Sequence, residues 1–362
     1  MILFLFACGP KLPAELESNA TIMLPNCNQN DYLYARGFGS NPTESVGNAR
    51  KNISEQITAK ITTKTDLLTE YISKARVING KVEDQSYEQK AFNSNIQTRS
   101  SFEHIELMKT IIEPVKSKDN YISLVCLNKA ETNKVISNKL APKADKFNRL
   151  TQQALKNQAA GNTAGFSIKY HQALELRPVI SSELYIIRSA TNTRSSLEAP
   201  FRENWDKLDE AAETIRNDSM IGLQLKKDLT FFERKDQTTK TFTQSHIFTN
   251  AFRKSLENNA LQVQVTSKCQ ANLTHFISLE VEADCPSYTM TGYAECTVLY
   301  KASLQDCRSK AKTEITIANK KLKGMHQRRS DEALRKAAKS KHLETFVRKE
   351  LRNYFPIVPL TE

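Results

Sequence analysis

The alternation of hydrophobic and polar residues near the start of the chain predicts a strand, a helix and a hairpin. Residues 32 to 38 (YLYARGF) alternate as in a half-buried strand, and residues 39 to 42 (GSNP) have the composition of a turn. Two strand-like runs, 105 to 115 and 121 to 127, flank the polar segment 116 to 120 and predict a β-hairpin. The Thr- and Ile-rich stretch 61 to 68 favours another strand. A helix from about Thr43 is predicted by apolar residues at three- and four-residue steps: Val46, Ala49, Ile53, Ile57 and Ile61.

Residues 140 to 217 have helical periodicity and few glycines. The small, aromatic, small and proline positions of one tetratricopeptide-like helical pair are matched by Ala154, Tyr170, Ala173 and Pro178, with Gly161 to Gly165 as the turn. No second copy follows, so we interpret the segment as a helical connector and not as a peptide-binding array. The stripe of Trp205, Leu208 and Ala212 is typical of a core-facing helix.

The last third of the chain predicts a strand, a helix, several strands and a final helix. A strand is expected from Met220 to Phe232, and a helix carries Phe248, Phe252 and Leu256 at four-residue spacing. Further strands are expected at 261–265, 275–283, 293–304 and 315–318. The final helix is expected to begin at Asp331, with Ser330 as its cap.

These elements predict the α+β class, as two small α/β domains of strand–helix–strands order joined by a helical connector. The expected boundaries are a lipoprotein signal with a lipidated Cys at 1–8 and a tether at 9–30. A first α+β domain at 31–139, the connector at 140–217 and a C-terminal α/β domain at 218–362 follow.

The N-terminal residues and the cysteines indicate export. Residues 1 to 7 (MILFLFA) are too short to cross a bilayer and resemble the end of a secretory signal, followed by Cys8. The stretch 5–8 (LFAC) resembles a lipobox, which implies a diacylglyceryl group on Cys8, and Gly9 after it favours the outer membrane under that family's sorting rule. Six cysteines remain of the seven, an even number that is typical of disulfides in an oxidising compartment.

Strand register predicts the pairing of these six cysteines. If 275–283 and 293–304 form an antiparallel hairpin, opposed residues share a nearly constant sum of residue numbers. That sum is 581 for Cys285 with Cys296 and 576 for Cys269 with Cys307, a difference that a bulge or loop curvature absorbs. Cys27 and Cys126 then close the first domain. The competing pattern, which joins Cys269 to Cys285 and Cys296 to Cys307, requires the two ends of one extended strand to meet.

The first domain resembles the small lipoprotein domain called LPP-twenty. The match lies in the order of elements over about residues 30–135 and in Tyr34, Ala35, Gly37 and Gly39 before a helix with Ala49 and Ile53. The resemblance implies an outer-membrane protein without catalytic residues, and related domains occur around flagellar outer-membrane rings. The order of elements in the C-terminal domain resembles periplasmic assembly factors, such as the amino-terminal domain of the Tol translocation protein or the peptidoglycan-synthase activator lipoproteins.

No arrangement of residues in the sequence indicates catalysis. Nucleophile-elbow, zincin, Walker A and dinucleotide-loop motifs are absent, and the six His are scattered singly. No cysteine or histidine spacing indicates a metal site, so we expect no enzyme activity, no metal and no cofactor.

The main functional feature in the composition is positive charge. The formal net charge is +12, and the segment 320–352 carries +8 of it. Its basic face, with Arg328, Arg329, Arg335, Lys336 and Lys339, suits anionic lipid or peptidoglycan, although a solvated helix face is the favoured interpretation. Nucleic acid is not expected as a partner of an exported protein.

Two functional hypotheses follow. The first is a non-catalytic outer-membrane lipoprotein on the periplasmic face that acts as a scaffold or assembly factor among envelope proteins. The second is a lipoprotein that regulates a peptidoglycan synthase or another wall enzyme through its C-terminal domain.

Overall fold

The computed structural model describes residues 27, 30–63, 77–78, 81–82, 92, 105–117, 119–225, 230–233, 238–241, 246–259, 261–285, 293–308, 312–315, 322–327, 330–338, 347 and 349–357. The helices named below are α1 (Pro42–Thr63), α2 (Lys129–Ala159), α3 (Thr163–Thr191), α4 (Glu198–Asp218), α5 (His246–Glu257) and α6 (Ser330–Ala338), and Ile105–Leu107 forms a 3₁₀ turn. The strands are β1 (Tyr32–Gly39), β2 (Val77–Ile78), β3 (Lys81–Val82), β4 (Met108–Ser117), β5 (Asn120–Asn128), β6 (Met220–Leu225), β7 (Thr230–Glu233), β8 (Thr238–Thr241), β9 (Gln262–Val265), β10 (His275–Cys285), β11 (Tyr293–Asp306), β12 (Lys312–Ile315) and β13 (Leu322–Gln327).

The predicted α+β class is confirmed. The chain forms two compact units, the first of Met1–Lys74, Glu88–Phe147 and Leu176–Arg202, and the second of Ala75–Tyr87, Asn148–Glu175 and Glu203–Glu362. Each of α2, α3 and α4 contributes residues to both units. The three-part domain division expected from the sequence stays a prediction.

The first unit contains an antiparallel sheet of strand order β1-β5-β4. Both predicted elements of the hairpin are present, although Ile105–Leu107 is a 3₁₀ turn, so β4 begins at Met108. Helix α1 buries Ala49, Ile53 and Ile57 almost completely, as the predicted apolar face requires. The expected strand at 61–68 is wrong at its start because α1 continues to Thr63, and residues 64–68 lie outside the described part of the chain.

Two glycines of β1 let α1 approach the strand closely. A Cβ added at Gly37 would overlap the carbonyl oxygen of Ser45 and the backbone nitrogen of Ala49, and would lie 2.8 Å from the Cβ of Ala49. A Cβ at Gly39 would lie 2.5 Å from the backbone nitrogen of Ser45. Any side chain at either position would therefore force the helix away from the strand.

Helix α1 also covers the edge of β1 opposite β5, and among the described strands β5 alone pairs with β1. An uncovered strand edge is a template for unwanted pairing with other chains. Three side-chain amides, one turn apart on the helix, bond to alternate carbonyl groups of the strand instead. The donor and acceptor pairs are Asn48 to Phe38 (2.6 Å), Asn52 to Arg36 (2.8 Å) and Gln56 to Tyr34 (3.2 Å).

An asparagine side chain caps the start of three helices. The Oδ1 atoms of Asn41, Asn128 and Asn162 accept hydrogen bonds from the third residue of α1, α2 and α3, at 2.9, 2.8 and 2.8 Å. These bonds satisfy a backbone N–H that has no partner within the helix. At α1, Pro42 occupies the first helical position, where its missing N–H costs nothing.

The helical character predicted for residues 140–217 is confirmed by α2, α3 and α4. The turn between α2 and α3 is shorter than expected, because α3 begins at Thr163 and Gly165 lies inside it. Gly161 has a positive φ of 71°, which suits a glycine at the end of a helix. Pro178, at the proline position of the predicted helical pair, lies inside α3, which continues through it to Thr191.

The second unit contains a mixed sheet with the main order β12-β11-β10-β6-β9. Strands β6 and β9 are parallel, with α5 between them in sequence, which is the expected arrangement of a crossover unit. The single strand expected from Met220 to Phe232 is two strands, β6 and β7, which pair with successive parts of β10. The register offset against β10 differs between the two pieces, so one unbroken strand does not fit.

Helices α5 and α6 supply much of the core of the second unit. The predicted stripe of Phe248, Phe252 and Leu256 is fully buried. Leu334 and Ala337 of α6 belong to the same cluster. Strand β12 begins at Lys312, earlier than expected, and residues 316–318 lie outside the described residues. Strand β13 was not predicted, and it pairs with β11.

Candidate functional site

The described residues form three disulfides: the two pairs that the register argument predicts, and the remaining pair that was expected to close the first domain. Cys27 bonds to Cys126 with the Cα atoms 6.5 Å apart. Cys269 bonds to Cys307 at 5.5 Å, and Cys285 bonds to Cys296 at 4.2 Å. Four of these cysteines are buried almost completely: Cys27, Cys126, Cys285 and Cys296.

The hairpin register explains the two bonds of the second unit. Strands β10 and β11 pair residues whose numbers sum to 581, and Cys285 with Cys296 continues that ladder by one position. At the other end of the hairpin, Cys307 donates a backbone hydrogen bond to Thr274, as the same register requires. Cys269 lies five residues before that position, in the loop ahead of β10. The loop turns back through a bond from Leu273 N–H to the carbonyl of Gln270, so loop curvature accounts for the predicted offset.

The other site residues expected from the sequence are only partly described. Cys8, Arg328, Arg329 and Lys339 lie outside the described residues. Arg335 lies on α6 and donates from Nη1 to Glu332 Oε1 at 2.9 Å. Lys336 is exposed on the same helix, which supports a solvated outer face and a buried inner face.

His171 helps to hold the C-terminal segment of the second unit. Its Nε2 lies 3.4 Å from the carbonyl oxygen of Phe355, and Arg216 Nη1 donates to the carbonyl oxygen of Pro356 at 3.0 Å. Phe355 and Ile357 are buried. Burial lowers the pKa of His171 to about 4, so the ring is neutral at pH 7. This arrangement anchors the segment.

A cavity of about 370 Å³ lies in the second unit, within the range of small-ligand sites. It is formed where the turn between α2 and α3, the end of α4, the start of β10 and the end of β11 meet. Its charged and titratable lining consists of Asp218, His275, Asp306, Arg308 and Tyr354.

Charges of both signs face this cavity. Arg308 and Asp218 are exposed, and in the described part of the chain neither side chain has a hydrogen-bond or ion-pair partner. His275 Nδ1 lies 3.2 Å from the hydroxyl oxygen of Thr274, and its ring packs edge-on against Phe355. Burial lowers the pKa of His275, with Asp306 opposing and Arg308 reinforcing the shift. The sequence singled out none of these residues for binding, because they come from separate segments without a shared motif.

The described residues form neither a metal-ligating cluster nor a membrane-spanning helix. No group of three or more His, Cys, Asp or Glu is placed to hold a metal ion in those ranges. Of the helices that the structure describes, none is both long and apolar enough to cross a bilayer.

Comparisons with known proteins leave the family of the chain open. No protein-family model matches it, and no curated protein matches it. Among solved structures, it is similar to the secreted protein HP1454 from Helicobacter pylori, with 11% sequence identity and a TM-score of 0.29. That match covers 90% of this chain and 98% of the other chain. A similarity this weak carries no argument about fold or function.

Proposed function

We propose that this protein is a non-catalytic bacterial envelope lipoprotein, anchored at the periplasmic face of the outer membrane through Cys8, and that it acts as a scaffold or assembly factor. The observation that carries the proposal is the set of three disulfides, which accounts for six of the seven cysteines. Disulfides persist in oxidising compartments and are rare in the bacterial cytosol, where thiols are kept reduced.

The contribution of these disulfides to the free energy of unfolding supports a protein that folds in an oxidising compartment. The Cys27–Cys126 bond closes a separation of 99 residues, for which the chain-entropy model gives about 4.7 kcal/mol. The separation of 38 residues closed by Cys269 and Cys307 contributes about 4 kcal/mol in the same model. A domain has only about 5–15 kcal/mol of net stability, so a reducing compartment would remove a large part of it.

The lipid anchor rests on the lipobox-like stretch that ends at Cys8. Two or more acyl chains at one site hold a protein on a membrane, since each buried CH₂ contributes about 0.8 kcal/mol. The structure also gives a physical role to the glycines that carry the LPP-twenty resemblance. Gly37 and Gly39 let α1 pack against β1, so the motif supports a shared architecture and adds no catalytic residue.

The second candidate function is regulation of a peptidoglycan synthase or another wall enzyme by the C-terminal domain. The observation that favours it is the net charge of +8 in residues 320–352, which suits an anionic wall polymer or an acidic partner surface. Under either function the protein binds partners and carries out no chemistry.

Fractionation of cells that produce Cys8→Ser tests the anchor. The unchanged protein is expected in the outer-membrane fraction with acyl groups on its N-terminal peptide, as read by mass spectrometry. Cys8→Ser is expected unprocessed or in the soluble periplasmic fraction, and a processed variant that remains with the outer membrane would contradict the anchor.

Periplasmic crosslinking followed by affinity capture separates the two functions. A scaffold is expected to capture structural envelope proteins, whereas a regulator is expected to capture a wall synthase. Lys336→Glu serves as the comparison variant in this experiment. It reverses one charge of the basic segment at a residue that is exposed on α6, so it should leave folding unchanged.

A further inference from the structure

The cavity of the second unit has an arrangement of charge that neither proposed function uses. Arg308 and Asp218, two residues of opposite charge, both line this open cavity. In the described part of the chain neither group is neutralised by a side-chain partner, and an exposed charge of this kind is available to a ligand.

Helix ends reinforce both signs of charge. The first residues of α3, Thr163 and Ala164, line the cavity, and the N-terminus of a helix favours negative charge. Asp218 is the last residue of α4, and the C-terminus of a helix favours positive charge. The cavity therefore has one feature that attracts an anion and another that attracts a cation.

From this arrangement we infer that the cavity binds a small zwitterion, a free amino acid or a short peptide, with its carboxylate on Arg308 and its ammonium group on Asp218. A simple anion would also face the carboxylates of Asp218 and Asp306, and a simple cation would face Arg308. Like charges in one site are unfavourable, so each singly charged ligand meets repulsion that a zwitterion avoids.

The remaining lining suits the uncharged part of such a ligand. Ile215 and Leu304 offer apolar contact, and Tyr354 adds an aromatic ring with a hydroxyl group. The volume of about 370 Å³ accommodates a ligand of this size without opening the core. His275 is held neutral by burial, so it offers a hydrogen bond without adding a charge.

The test is a binding measurement on the oxidised protein with defined probes. Each of the standard free amino acids and alanyl-alanine is titrated to about 10 mM by isothermal calorimetry and thermal shift. The best binder is then compared with its N-acetyl form, which lacks the ammonium group, and its amide form, which lacks the carboxylate. The zwitterion is expected to bind at least tenfold more tightly than either singly charged form, about 1.4 kcal/mol.

Two substitutions and one control locate the site. Arg308→Gln and Asp218→Asn are each expected to weaken the zwitterion at least tenfold, and Arg308→Gln is expected to abolish the difference between the zwitterion and its amide. Lys254→Gln removes one exposed positive charge from α5, away from the cavity, and is expected to bind as the unchanged protein does. The inference is overturned if no probe binds, if a singly charged form binds equally well, or if the control loses binding to the same extent.

Discussion

A pair of glycine-to-alanine substitutions tests how the first unit is packed. In Gly37→Ala, the added methyl group would overlap backbone atoms of Ser45 and Ala49 in α1. Because backbone atoms cannot rotate aside, the helix must move off the strand. Overpacking of this kind costs about 1–3 kcal/mol, and a displaced helix also weakens the Asn48 and Asn52 bonds to β1, each worth about 1 kcal/mol. We therefore expect a loss of up to about 3–5 kcal/mol in the free energy of unfolding.

The matched control is Gly47→Ala in the same helix. A Cβ there meets nothing within 4 Å, so the substitution is expected to stabilise by about 1 kcal/mol through helix propensity. Guanidinium denaturation followed by far-UV circular dichroism, with hydrogen exchange of the β1 amides, measures both variants. The native emission of Trp205, the single tryptophan, reports whether the second unit stays folded. If Gly37→Ala is as stable as Gly47→Ala, the close contact between α1 and β1 does not exist.

Three further predictions follow from single contacts. His171 has a folded-state pKa of about 4, below its unfolded value near 6.5, so the unfolded chain binds the proton more readily than the folded chain. The free energy of unfolding should therefore fall by about 3 kcal/mol as the pH drops from 6.5 to 4. In denaturation measured as a function of pH, His171→Asn should flatten this part of the profile. Glu198 is 3% exposed and lies 3.0 Å from Arg202. Glu198→Gln should lower the free energy of unfolding, measured by guanidinium denaturation, by about 2 kcal/mol, less than the loss of a fully buried pair because Arg202 keeps some solvent contact. The control Glu203→Gln, at an exposed residue, should change it little. Asn52→Ala should cost about 1 kcal/mol and speed amide exchange in β1, and unchanged exchange would contradict a covered edge.

Sequence patterns predicted the helices and strands that have one buried face and one exposed face. The stripe of Phe248, Phe252 and Leu256 and the alternation in β1 translate directly into contacts, because burial imposes the period of the element. The two disulfides of the β10–β11 hairpin followed from the same logic, since antiparallel register fixes which residues lie opposite each other, and Cys27–Cys126 was the pair that remained.

Tertiary packing decided the elements that the sequence did not predict. Strand β13 reads LKGMHQ, with a glycine and no clear alternation, and it is a strand because β11 offers it a partner. Helix α3 continues through Pro178, where local rules favour an end, because buried residues flank the proline on both sides: Leu174 and Ala173 before it, Ile180 and Leu184 after it. The cavity escaped prediction because Asp218, His275 and Arg308 meet only after three segments have folded together.

Thiol labelling of the protein taken directly from the bacterium that makes it tests the account most directly. Cells are quenched in acid, free thiols are blocked with one reagent, and the protein is then reduced, labelled with a second reagent and mapped by mass spectrometry, alongside a non-reduced digest. We expect the first reagent to modify none of these six cysteines and the second reagent to modify all six. In the non-reduced digest we expect Cys27 linked to Cys126, Cys269 to Cys307, and Cys285 to Cys296. Free thiols at these six positions, or a linked peptide that joins Cys27 to Cys269, would contradict it.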